Sequence, residues 1–157
     1  MLISLQNYFG PETIYLWLNF GVLPLWVTLI FFPNSKISSI FISSIFLPII
    51  FSVIYVYIAY HLISYEQNIL EFFNLYSGTD NLYSLFSNEI FLLIFWIHFV
   101  SINLFLGCWV SKDALRYNIP KFLSGISLIL IYFTGPLGLI FYWFIRIFYS
   151  KKISLYD

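Results

Sequence analysis

The sequence predicts an all-α fold, an integral membrane bundle of four transmembrane helices, and two observations predict it. The seven basic and seven acidic residues all fall outside four long windows, Thr13–Ser35, Ile37–Tyr65, Ile90–Ser111 and Phe122–Ile145. Each window is rich in Leu, Ile, Val, Phe, Tyr and Trp. Each could cross a hydrocarbon core of about 30 Å as a helix, which takes roughly 20 residues. The second observation is bulk composition. With 61% hydrophobic and 9% charged residues in a chain of 157, the apolar surface exceeds what a core of this size can bury, so lipid must cover the remainder.

Backbone groups in hydrocarbon need internal partners, which leaves helices or closed barrels. Barrel strands would be about ten residues long with alternating polarity, whereas these runs are continuous and longer. The helices are expected at about 14–32, 39–60, 90–110 and 123–145, in a single transmembrane domain covering 1–157. Pro33-Asn34-Ser35-Lys36 makes a tight turn after the first helix, because proline cannot continue a helix and asparagine favours turns. The third connection runs from Lys112-Asp113 to Pro120-Lys121. Short connections make antiparallel neighbours, so the chain reads as two helical hairpins. Trp17, Trp26, Trp109 and Trp143 stand toward helix ends, as an interfacial aromatic belt requires.

The middle connection, His61 to Glu89, carries Glu66, Glu71, Asp80 and Glu89 with no Lys or Arg. Ile69, Leu70, Phe73 and Tyr76 fall on one helical stripe, and Leu82, Leu85 and Phe86 on another beyond Gly78. They read either as two short amphipathic segments at the interface or as a solvated acidic loop. Four crossings would place both termini on one side, with Arg146, Lys151 and Lys152, against Lys36, Lys112, Arg116 and Lys121 on the other. Three cations against four leave orientation open, with a mild preference for the second set as cytoplasmic. No cleavable leader is expected, since no charged n-region precedes the first span. A lone cysteine, Cys108, excludes an internal disulfide, and a net charge of zero leaves no footprint for nucleic acid.

Chemistry must come from few groups. Ionisable or strongly polar residues at membrane depth are costly and face the bundle interior or mark a functional site. On the third helix these are Glu89, His98, Asn103 and then Lys112, Asp113 and Arg116. His98 could exchange a proton, or simply hydrogen-bond across the bundle near Asn19 or Tyr57. Asp113 and Arg116 are spaced to pair on the surface at i, i+3. Tyr57, His61 and Tyr65 make a ladder suited to the headgroup region. Thr134-Gly135-Pro136-Leu137-Gly138 interrupts the fourth helix, where proline removes a backbone bond and bends the chain; the reading is a packing kink that shapes a pocket wall. Two separate histidines and one cysteine show no metal-binding spacing, and no phosphate loop or nucleophile elbow occurs. No cofactor is expected.

In order, Phe86-Ser87-Asn88-Glu89, Trp96-Ile97-His98, Asn103-Leu104-Phe105, Gly107 with Trp109, Asp113-Ala114, Ile119-Pro120 and Gly135-Pro136-Leu137-Gly138 resemble the family of four-helix membrane proteins related to the plant protein needed for neoxanthin synthesis. Asn19, Val22-Leu23-Pro24, Pro33 and Tyr55-Val56-Tyr57 extend the resemblance over nearly the whole chain. The stretch Trp109 to Pro120 is more similar to the bacterial branch, whose function is unassigned. Family members carry an aspartate where this chain has Asn103. The resemblance implies an integral membrane protein, in a bacterial inner or an organellar membrane, that acts on or binds a carotenoid-like polyene. Its chemistry would be an epoxide-to-allene isomerisation, which balances with one proton removed and one oxygen protonated. His98, Glu89, Asp113 and Asn103 are the candidate site residues. The other hypothesis is a non-catalytic membrane subunit or a pigment- or lipid-binding scaffold, with lipids, a carotenoid or other membrane subunits as partners.

Overall fold

The computed structural model describes residues 10–42, 46–65 and 76–152, and every regular element among them is helical. They are α1 (Pro11–Phe31), a π-helical turn (Ser38–Ile42), α2 (Phe46–Tyr65), α3 (Thr79–Phe86), α4 (Glu89–Arg116), α5 (Lys121–Thr134) and α6 (Pro136–Ser150). Two of them, α1 and α4, are long and apolar enough to cross a membrane. The first amphipathic stripe and the side chains of His61 and Tyr65 lie outside the described residues, apart from Tyr76. The second stripe, Leu82 with Leu85 and Phe86, forms α3.

The chain divides into two compact units. Unit 1 comprises Met1–Phe20 and Ile49–Phe99; unit 2 comprises Gly21–Pro48 and Val100–Asp157.

In unit 1, Pro11 opens α1, a position where proline forfeits no helical bond. Asn88 caps α4, its Oδ1 accepting from the backbone N–H groups of Ile90 at 2.9 Å and Phe91 at 3.0 Å, which satisfies two of the helix's orphan donors. Leu18, Phe51, Ile58, Leu93, Ile94 and Ile97 are buried.

In unit 2, the indole of Trp26 lies where a Cβ on Gly107 would stand, 2.7 Å away, so the missing side chain admits the ring against the α4 backbone. Ile30 lies close to Gly125, one turn into α5. Leu29, Leu104, Leu128 and Ile131 fill the core.

The stretch 123–145, expected as one kinked helix, is two helices. Gly135 ends α5 with φ 62° and ψ −82°, a backbone region open to glycine and strained for other residues. Its N–H donates to the Ile131 carbonyl, and Pro136 starts α6 at the position proline tolerates best. The proline therefore begins a new helix rather than bending an old one. A Cβ on Gly138 would fall against the backbone of Ile131 and Ser127, so α6 folds back over α5 and the two pack as a hairpin.

Candidate functional site

The four sequence-derived candidates fall in different places: Glu89 and His98 in unit 1, Asn103 and Asp113 in unit 2.

Unit 1 holds a cavity of about 580 Å³ lined by Pro11, Glu12, Tyr15, Glu89, Leu92, Leu93 and Trp96. It lies within the ordinary size range for small-molecule sites. Its carboxylates come from the first turns of two helices, Glu12 from α1 and Glu89 from α4, where the helix dipole favours negative charge. Its aromatic wall is held in place by polar and ring contacts. Trp96 Nε1 donates to Asn19 Oδ1 at 3.3 Å, and Asn19 Nδ2 donates to the Tyr15 carbonyl at 2.7 Å. The Trp96 ring stacks on Phe99 at 5.4 Å and tilts against Tyr15 at 5.6 Å. Glu12 was missed from sequence because it precedes the apolar window; the Pro11-Glu12 pair at a helix start was its available signal.

His98 is exposed and stands outside the cavity lining. Its neighbouring ring is Tyr55, 6.3 Å between centroids. Asn19, expected near it, serves Trp96 instead.

In unit 2, Asp113 faces inward. Its Oδ2 accepts from Arg146 Nε at 2.7 Å and from the Tyr142 hydroxyl at 2.7 Å. Arg146 also donates from Nη2 to the Tyr117 hydroxyl at 3.4 Å, with its guanidinium 5.0 Å from the centre of that ring. Arg146 is fully buried and Asp113 is 7% exposed. The expected Asp113–Arg116 surface pairing gives way to this buried one, because the hairpin returns α6 to the end of α4. Arg116 is exposed and lies over Tyr117 at 5.5 Å. With its carboxylate committed to two donors, Asp113 is a structural anchor for α6. Asn103 is 6% exposed; its Oδ1 stands 2.5 Å from where a Cβ on Gly135 would be, and its Nδ2 makes no hydrogen bond. It braces the hairpin turn.

Among the described residues every regular element is helical, two helices are long and apolar enough to cross a membrane, and an aromatic cavity is edged by two carboxylates, features that point to the class of helical membrane proteins. The model of one family, ABA4-like (ABA DEFICIENT 4-like), matches residues 13–142. The chain belongs to that family and is a neoxanthin-synthase-like protein. No curated protein and no solved structure matches it.

Proposed function

We propose that this protein is an integral membrane protein that takes the end of a carotenoid-like polyene into the unit 1 cavity and isomerises it by acid–base chemistry. One observation carries the reading: Tyr15, Leu92, Leu93 and Trp96 form an apolar, flat-sided wall in the same cavity as two carboxylates, Glu12 and Glu89. The wall suits a hydrocarbon end group. The carboxylates supply what an epoxide-to-allene isomerisation requires. One removes a proton from the polyene carbon beside the epoxide, the electron pair shifts as the C–O bond breaks, and the other carboxyl protonates the released oxygen. The protons balance, so no redox partner is consumed. In the membrane, α1, α2 and α4 act as crossing helices and the α5–α6 hairpin as the fourth membrane element.

Expression of the full chain in a carotenoid-producing host tests the reading through the pigment profile. The expected result is a new isomer of unchanged mass, lost in Glu89→Gln. Pigment co-purifying with the protein but never converted would favour the non-catalytic binding hypothesis. Neither conversion nor co-purification would overturn both.

A further inference from the structure

The zero net charge conceals a separation. Segments 1–20 and 49–99 contain no Lys or Arg and five acidic residues; segments 21–48 and 100–157 hold all seven Lys and Arg against Asp113 and Asp157. In unit 2 the fold then draws these cations to one end. Tyr142 and Arg146 on α6 reach Asp113 near the end of α4, while the Gly135 turn meets Asn103, ten residues earlier on α4. Over those ten residues α4 advances about 15 Å. Thus α6 runs from the Asn103 level back to the Asp113 level and delivers Lys151 and Lys152 to the end where Lys112, Arg116 and Lys121 stand. All five are exposed. Ile30 against Gly125 brings the end of α1, and Lys36 after it, toward the same place.

At 14 and 15 residues, α5 and α6 are each about 21–23 Å long, short of a hydrocarbon core of about 30 Å. We propose that the α5–α6 hairpin enters and leaves the bilayer on one face, and that the basic end of unit 2 docks onto the anionic phospholipid headgroups of that leaflet. The proposal rests on the membrane reading above and is independent of any catalysis. Charge complementarity identifies the occupant, and its aromatic neighbours identify the source as a membrane. Phe122 follows Lys121 and is 76% exposed; Phe148 and Tyr149 precede Lys151 and are 81% and 43% exposed. Large exposed rings beside cations match a lipid interface, where the ring sits at headgroup depth and the cation reaches phosphate. A soluble anion would leave those rings in water.

Two measurements on the full chain test this. For lipid, the detergent-purified protein is offered phosphatidylglycerol and phosphatidylcholine together, and retained lipid is counted by native mass spectrometry. Phosphatidylglycerol should be retained preferentially, less so with added salt. The combined variant Lys112→Gln, Lys121→Gln, Lys151→Gln, Lys152→Gln should lose the preference by tenfold or more, as one cation at an anionic surface is worth about fivefold. Equal retention in the parent, or an unchanged preference in the variant, would overturn docking. Inorganic phosphate abolishing the preference would overturn the headgroup as its source. For topology, Asn118→Cys and Lys152→Cys in sealed vesicles should react with an impermeant maleimide from the same side, and reaction from opposite sides would overturn the one-face hairpin. Recovery of the chain in the soluble fraction without detergent would overturn the proposal together with the membrane reading. Loss of isomerase activity alone would touch only the latter's catalytic part.

Discussion

Asp113 and Arg146, 33 residues apart in sequence, close a 2.7 Å ion pair from which water is nearly excluded. Removing one partner leaves the other buried and uncompensated, which costs about 3–5 kcal/mol. Arg146→Met and Asp113→Leu should each lower the unfolding temperature of the detergent-purified protein sharply. The double variant should recover much of the loss, since neither charge is then stranded. Tyr142→Phe should cost less, about 1.5–3 kcal/mol for one hydrogen bond to a charged group.

The hairpin turn tolerates glycine alone. Gly135→Ala meets both a left-handed backbone and the Asn103 carboxamide, with strain on the order of 1–3 kcal/mol before any side-chain clash. Gly138→Leu would force α6 off α5 and should be worse. Size-exclusion profile and thermal unfolding would show both, with Gly125→Ala, which has ordinary room near Ile30, as the mild control.

Glu89→Gln and Glu12→Gln should each slow isomerisation by about 10²- to 10⁴-fold, the usual worth of a positioned acid or base. Pigment retention should persist, because the apolar wall is untouched. The host pigment profile and the absorbance of the purified protein separate the two effects.

His98→Gln discriminates between site assignments. A proton-transfer role for His98 requires turnover to vanish. Placement of the chemistry at Glu12 and Glu89 leaves turnover within about a factor of two, since His98 stands outside the cavity lining; loss of one general acid–base group would show as 10²-fold or more.

Local chemistry made most of the helices legible. The apolar windows located α1 and α4, and the Leu82, Leu85 and Phe86 stripe beyond Gly78 offered α3 as one of two readings. The helix expected over 39–60 falls on the π-helical turn Ser38–Ile42 and on α2 from Phe46, with 43–45 outside the described residues. The reversal at Gly135 was not legible locally. A Gly-Pro step inside an apolar run fits a kink as well as a hairpin, and what decides is contact over long separations, Gly138 on Ser127 and Arg146 on Asp113. One clue was available: an arginine adjoining an apolar run demands a buried acidic partner, and Asp113 precedes it on the neighbouring helix. The cavity was half legible for a related reason. Glu89 sits at a helix start in the sequence, but its convergence with Glu12 depends on how α1 and α4 pack within unit 1.

The buried pair also orders the assembly of the chain in time. Asp113 is synthesised 33 residues ahead of Arg146, so the acid exists before the arginine-bearing helix does. An isolated α6, short and charged, is a poor candidate for independent insertion. Under the membrane reading proposed above, α6 settles only against a completed α4: an α4 in the wrong register would leave Arg146 without Asp113 and the hairpin unlatched.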